Sequence, residues 1–180
     1  MPSTPDNLSR LLAPTYLDDI DEVSMEDLRR MRTECQEAES ELSFLRRLVQ
    51  GRLDLVHAFI ERPAGSPAPD LSSIVDNLAG IIAGPRGTRG PGRNPVLHTP
   101  DTEDMAGLTV ELDAILGADD IARLGDLDEG ELGDLADRLR VLENRVSADR
   151  LGMFGRIDTL QAELVERYKS GRATADGLLS

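Results

Sequence analysis

Two stretches of the chain carry the same spaced series of carboxylate, hydroxyl and guanidinium side chains. The first series consists of Glu39, Ser43, Arg46, Gln50 and Asp54. The second series consists of Glu143, Ser147, Arg150, Phe154 and Asp158. In a helix that turns by ~100° per residue, each series stays within an arc of roughly 80° over about four turns. Each series therefore predicts one polar stripe along a helix.

The chemistry of these stripes suits a guanine nucleotide. A carboxylate accepts hydrogen bonds from guanine N1–H and N2–H2, whereas arginine pairs bidentately with O6 and N7 or with a phosphate. Both kinds of group occur in each stripe, so two equivalent binding surfaces are expected. Phe154 stands where the first stripe has Gln50, and an aromatic ring at that position can stack on a base.

The repeat also includes two arginines and two glycines. Arg52 and Arg156 stand where an apolar residue is expected, and an unpaired charge there destabilises a coiled coil. Ligand binding and extension of the side chain into solvent both account for them, and we include them among the predicted ligand contacts. Gly51 and Gly155 each cost about 1 kcal/mol relative to alanine in mid-helix, which indicates the close approach of a ligand or of the partner helix, and we favour the ligand.

Two long helices must position these stripes. A helix over 24–62 is predicted because Ser24 is a suitable N-cap and Pro63 disfavours continuation. A second helix over 127–170 begins near Asp128. Apolar residues step by three and four along both helices, which predicts an intramolecular coiled coil. The two seams contain Leu28, Met31, Cys35, Ala38, Leu42, Leu45, Val49, Val56 and Phe59, and Leu132, Leu135, Leu139, Leu142, Val146, Met153 and Leu160.

The remaining segments lack this periodicity. Residues 1–23 read as a flexible, partly ordered N-terminal arm, and residues 171–180 as a flexible tail. The Pro/Gly-rich linker at 63–126 contains short helical stretches near 71–82 and 108–124. The predicted fold class is therefore all-α, a two-helix coiled coil with a short extra helix and a long irregular linker.

Composition narrows the function classes. The 180 residues carry a net charge of -14, which argues against general binding to duplex nucleic acid. The single Cys35 excludes an internal disulfide, and no leader or membrane-spanning run is evident, so a cytoplasmic protein without a membrane or direct DNA partner is expected. His57 and His98 have no accompanying ligand motif, so neither a metal site nor an enzyme is predicted.

The doubled Glu-x3-Ser-x2-Arg-x3-Gln-x3-Asp motif resembles that of RsiG-like proteins, a family of anti-sigma factors from actinobacteria. The resemblance implies an antiparallel helix pair that binds cyclic di-GMP, as a dimer of the nucleotide. It also implies a WhiG-type sigma factor, a regulator of developmental transcription, as the sequestered partner. The implied ligand contacts are Glu39, Ser43, Arg46, Gln50, Arg52, Asp54, Glu143, Ser147, Arg150, Phe154, Arg156 and Asp158.

An alternative function is a coiled-coil adaptor or structural protein that needs no ligand. The two functions differ in one observable, because an adaptor would bind its partner equally well with and without cyclic di-GMP. The ligand-dependent mechanism further predicts that facing rows of arginine repel each other until an anionic ligand neutralises them.

Overall fold

The computed structural model describes the backbone of residues 4–62 and 102–171 and the side chains of 7–62 and 109–171. Within these ranges all regular structure is helical, as predicted, and no helix is long and apolar enough to cross a membrane. The predicted helical stretch at 71–82, most of the linker and the tail from residue 172 lie outside the described residues. The helices are α1 (Thr4–Leu12), α2 (Met25–Ile60), α3 (Thr102–Ile115), α4 (Ala118–Ile121) and α5 (Glu129–Lys169), with 3-10 turns at Pro14–Leu17 and Leu124–Asp126.

Side-chain caps begin both long helices. The Ser24 hydroxyl accepts a hydrogen bond from the Asp27 backbone N–H at 3.0 Å, which starts α2. A capping box starts α5, because Asp128 Oδ1 accepts from the Glu131 N–H and Glu131 Oε2 accepts from the Asp128 N–H, both at 2.9 Å. The observed bounds of both helices lie within two residues of the predicted 24–62 and 127–170.

The chain divides into two compact units, and each long helix contributes a part to both. The first unit comprises Met1–Ser40 with Asp149–Ser180, and the second comprises Glu41–Ala148. In the first unit, Arg29 contacts Tyr168 while Glu39 contacts Arg150. Residues further along α2 thus contact residues that come earlier in α5, so the two helix segments run antiparallel.

The second unit shows the same direction. Arg46 contacts Glu143, whereas His57, further along α2, contacts the earlier residue Arg140. Antiparallel pairing is therefore found in each unit, as the resemblance implies.

The predicted seams form the apolar interior of each unit. Met31 and Leu135 are the two predicted seam residues that stay partly exposed. Phe44 and Leu55 are buried outside the seam pattern, so α2 is covered on more than one face in the second unit. The buried apolar residues of the first unit are Leu11, Leu28, Cys35, Ala38, Met153, Leu160 and Leu164. Those of the second unit include Leu42, Leu45, Val49, Val56, Phe59, Leu112, Leu116, Leu124, Leu132, Leu139, Leu142 and Val146.

The N-terminal segment, expected to be a flexible arm, contains α1 and packs in the first unit. Leu11 is fully buried, and a Cβ placed on Gly152 would lie 3.0 Å from Leu12 Cδ2. Arg167, itself buried, donates hydrogen bonds to the backbone carbonyls of Ile20 and Val23. The segment is ordered because α5 supplies both a close apolar contact and a donor for its free carbonyls.

Candidate functional site

The first stripe and the second stripe meet in the second unit at a group that we call the Arg46 cluster, formed by Arg46, Gln50, Glu143 and Ser147. Arg46 Nε donates to Glu143 Oε1 at 2.9 Å and to Ser147 Oγ at 2.8 Å. Ser147 Oγ donates to the same Glu143 oxygen at 3.0 Å, and Gln50 Nε2 donates to it at 3.2 Å. One carboxylate oxygen therefore accepts from three side chains across two helices.

The Arg46 cluster keeps further groups for a ligand. The Arg46 side chain is 34% exposed and the Glu143 side chain 18%. Among the described residues, the contacts of Arg46 use only its Nε and those of Glu143 use only Oε1. The two terminal nitrogens of the guanidinium and the second carboxylate oxygen remain, so the cluster offers both donors and an acceptor.

A corresponding group in the first unit, the Arg150 cluster, consists of Glu39, Arg150 and Phe154. Arg150 Nε donates to Glu39 Oε1 at 2.9 Å, and the exposed fractions of the two side chains are 33% and 18%. The Arg150 guanidinium also lies 4.9 Å from the centroid of the Phe154 ring. Phe154 is 39% exposed, so a cation and an aromatic ring stand together at the surface of this unit.

Both clusters are composite. In each one, the arginine of one motif copy pairs with the glutamate of the other copy, which lies on the opposite helix. The motif on one helix does not predict this pairing, because the pairing also depends on the relative direction of the two helices. Ser43 is half-buried on α2.

The two aspartates of the motif extend the stripes and have no partner among the described residues. Asp54 and Asp158 are exposed, and neither makes a hydrogen bond or ion pair within the described part of the chain. Gly155 also faces open space, because an added Cβ would meet no atom within 4 Å. Among the described residues, the surface at Gly155 is therefore open, whereas its counterpart Gly51 is buried.

Arg52 and Arg156 occupy equivalent places in the repeat but lie outside both clusters. Arg52 Nη1 donates to the Leu116 carbonyl at 2.6 Å, and Nη2 pairs with Asp113 at 2.7 Å. Arg156 Nη2 donates to the Leu12 and Ala13 carbonyls at 2.7 and 3.1 Å. Each arginine thus caps the carboxyl end of a short helix, α3 or α1. Ligand contact by these two residues stays a prediction, while their protein partners explain their seam positions.

The charge arrangement differs from the facing rows of arginine that the sequence suggested. Arg46 and Arg150 each face a glutamate of the other long helix. The clusters therefore hold the helix segments together in each unit without a ligand, and repulsion between arginines is not the force that a ligand would relieve.

A protein-family model matches most of the chain. The model of the RsiG-like family matches residues 14–82 and 118–180. The chain belongs to the RsiG-like family. The matched ranges include every residue of both clusters, and this family of regulatory proteins indicates an anti-sigma role. A search of curated proteins found no similar protein.

Proposed function

We propose that this RsiG-like chain binds cyclic di-GMP at its two arginine clusters and, when loaded, sequesters a WhiG-type sigma factor. The observation that carries the proposal is the reciprocal pairing of Arg46 with Glu143 and of Arg150 with Glu39. It brings a guanidinium and a carboxylate together once in each unit. Each unit therefore carries one set of groups that can recognise a cyclic di-GMP molecule.

The Arg46 cluster supports nucleotide binding through the Arg46 and Glu143 atoms that its own hydrogen bonds do not use. Glu143 Oε2 accepts from the N1–H or N2–H2 group of guanine, and the terminal nitrogens of Arg46 pair with a phosphate or with O6 and N7. Gln50 and Ser147 already hold the carboxylate through Oε1. The binding groups are therefore oriented before the ligand arrives, which lowers the entropic cost of binding.

In the Arg150 cluster, Phe154 takes the place that Gln50 has in the Arg46 cluster. Its partly exposed ring beside the Arg150 guanidinium provides a stacking surface for a base. Asp158, exposed one turn further on, adds a second carboxylate. The two clusters are thus equivalent in charge but differ in how they hold a base, and we expect two nucleotide molecules per chain.

Isothermal titration calorimetry with cyclic di-GMP tests this function. Arg46→Ala and Arg150→Ala should each weaken binding by about tenfold or more, because each removes a charge-assisted hydrogen bond. Arg30→Ala and Arg140→Ala serve as controls, since these exposed arginines lie on the same helices outside the clusters. Unchanged affinity in both cluster variants, with helicity retained by circular dichroism, would refute the proposed sites.

The ligand-free adaptor is tested in the same system. We expect purified WhiG-type sigma factor to bind the chain more tightly when cyclic di-GMP is present. Equal sigma affinity with and without the nucleotide would favour the adaptor.

A further inference from the structure

An open groove follows the first half of α5 in the second unit. It consists of two adjoining cavities of about 420 and 470 Å³ that share Ile115 and Arg138. Together they follow α5 from Glu131 to Leu142, which is on the order of 17 Å or three helical turns. We call this the α3–α5 groove; its apolar lining includes Ile115, Leu127, Leu135 and Val141.

The apolar side chains of the groove are available at the surface. Ile115, Leu127 and Leu135 are partly exposed. Val141 is 70% exposed, and Val110, on the neighbouring face of α3, is 64% exposed. Large exposed aliphatic residues beside a groove mark a docking surface more often than isolated ones do.

The rim of the groove is acidic. Four carboxylates line the cavity beside α4, against two arginines. Asp126 and Asp134 are exposed and have no ion pair within the described residues. An occupant must therefore supply positive charge as well as apolar side chains. The charged lining residues are Asp120, Asp126, Glu131, Asp134, Arg123 and Arg138.

Two occupants from this chain itself fit poorly. A second copy carries the same net charge of -14, so charge repulsion opposes its approach. The chain's own arginine-rich stretch at 84–93 reads GPRGTRGPGR and contains no large apolar side chain to fill the groove. The complementary element is a helix with an apolar stripe flanked by lysine and arginine.

We propose that the α3–α5 groove binds a basic amphipathic helix of the sigma factor. This inference rests on the proposed anti-sigma function and assigns it a docking surface separate from the nucleotide clusters. Apolar side chains of the partner helix fill the floor, and its basic residues face Asp126 and Asp134. Docking here leaves Arg46 and Glu143 to the nucleotide.

The charge of the groove is tested with the double variant Asp126→Lys and Asp134→Lys. In full-length chain with cyclic di-GMP present, affinity for purified WhiG-type sigma factor should fall by about tenfold or more and depend less on salt. The matched control is Glu37→Lys with Glu166→Lys, which makes the same change in charge at exposed positions of the first unit. Affinity for cyclic di-GMP, measured separately, should be unchanged in both.

The apolar side of the groove is tested with Val141→Asp. Leu151→Asp is its control, because Leu151 is equally exposed at 72% on the same helix but lies in the first unit. Both variants should keep the wild-type melting temperature, since neither side chain is buried. Only Val141→Asp should weaken sigma binding.

The outcomes separate this inference from the function on which it rests. If wild-type chain binds the sigma factor but the groove variants bind as tightly as their controls, the groove assignment is overturned and the function stands. If wild-type chain fails to bind any WhiG-type sigma factor, both fall. A wild-type dimer in sedimentation that becomes monomeric in the Asp126→Lys, Asp134→Lys variant would instead assign the groove to a second copy.

Discussion

At the scale of single residues, the same motif supplies two kinds of carboxylate. Glu39 and Glu143 are partly buried and paired with arginine, whereas Asp54 and Asp158 are exposed and unpaired within the described residues. Truncating the glutamates removes an interhelical contact as well as an acceptor. The aspartates therefore separate ligand binding from stability more cleanly.

We expect Asp54→Ala and Asp158→Ala each to weaken cyclic di-GMP binding while changing the free energy of unfolding by less than about 0.5 kcal/mol. Calorimetry and a thermal melt measure the two effects. Glu37→Ala, an exposed substitution elsewhere on α2, should change neither. An effect confined to one aspartate would show that the two motif copies bind the ligand unequally.

Tyr16 gives the protein an alkaline sensitivity. Burial raises the pKa of Tyr16, and the neighbouring Cys35 and Glu34 add to the rise. A raised folded-state pKa favours the neutral phenol, so its contribution to stability is present below the unfolded pKa of about 10 and is lost as pH rises above it. The Tyr16 hydroxyl is also buried without a hydrogen-bond partner in the described part.

We therefore expect Tyr16→Phe to leave stability at pH 7 unchanged or raised, and to reduce the loss of stability above about pH 10. Urea midpoints at pH 7 and in the alkaline range measure this difference. The Cys35 thiol, whose pKa burial also raises, interacts with Tyr16, so both proteins are compared in a Cys35→Ser background in which only the phenol differs. Parallel pH profiles for the two proteins would contradict the assignment.

At the scale of helices, the seams are held by residues such as Leu42 and Val146, each 2% exposed. Leu42→Asp or Val146→Asp should destabilise the chain by about 3 kcal/mol or more, because each buries a charge without a partner. Loss of the helical circular dichroism signal on mild heating is the measurement. Leu151→Asp, at an exposed position of α5, is the control that should melt as wild type does.

Substituting the capping arginines, Arg52 and Arg156, should have a more local effect on stability. Arg52→Ala should release the end of α3, and Arg156→Ala the end of α1, since each removes hydrogen bonds worth about 1–3 kcal/mol. Hydrogen exchange should rise in the affected short helix while α2 and α5 stay protected. If exchange rises equally along both long helices, these arginines stabilise the coil itself.

Sequence patterns predict those parts of this fold that depend on interactions between residues close together in the chain. The long helices were predicted to within two residues because caps such as Ser24 and a 3–4 apolar spacing act locally. Helix α1 was not predicted, because its packing depends on Gly152 and Arg156, which lie far away in the chain. The cluster residues were identifiable from the repeat, but the pairing of Arg46 with Glu143 required the helix direction.

At the scale of the whole molecule, ligand and partner must act on each other. If cyclic di-GMP tightens sigma binding, the sigma factor must tighten nucleotide binding by the same factor. Titrating cyclic di-GMP into the chain alone and into the chain with sigma factor measures that factor. Equal nucleotide affinities, over a range where the complex forms, would leave the chain as a constitutive sigma binder.

The division into two units also determines what fluorescence and circular dichroism each report about the unfolding of this protein. The chain contains no tryptophan, and both tyrosines, Tyr16 and Tyr168, belong to the first unit. Emission excited in the tyrosine absorption band therefore comes from that unit alone, whereas the far-ultraviolet dichroism comes from the helices of both units. Comparing the two signals during one melt tests whether the units unfold together. Coincident midpoints indicate one cooperative transition, and separate midpoints order the two events without any attached dye.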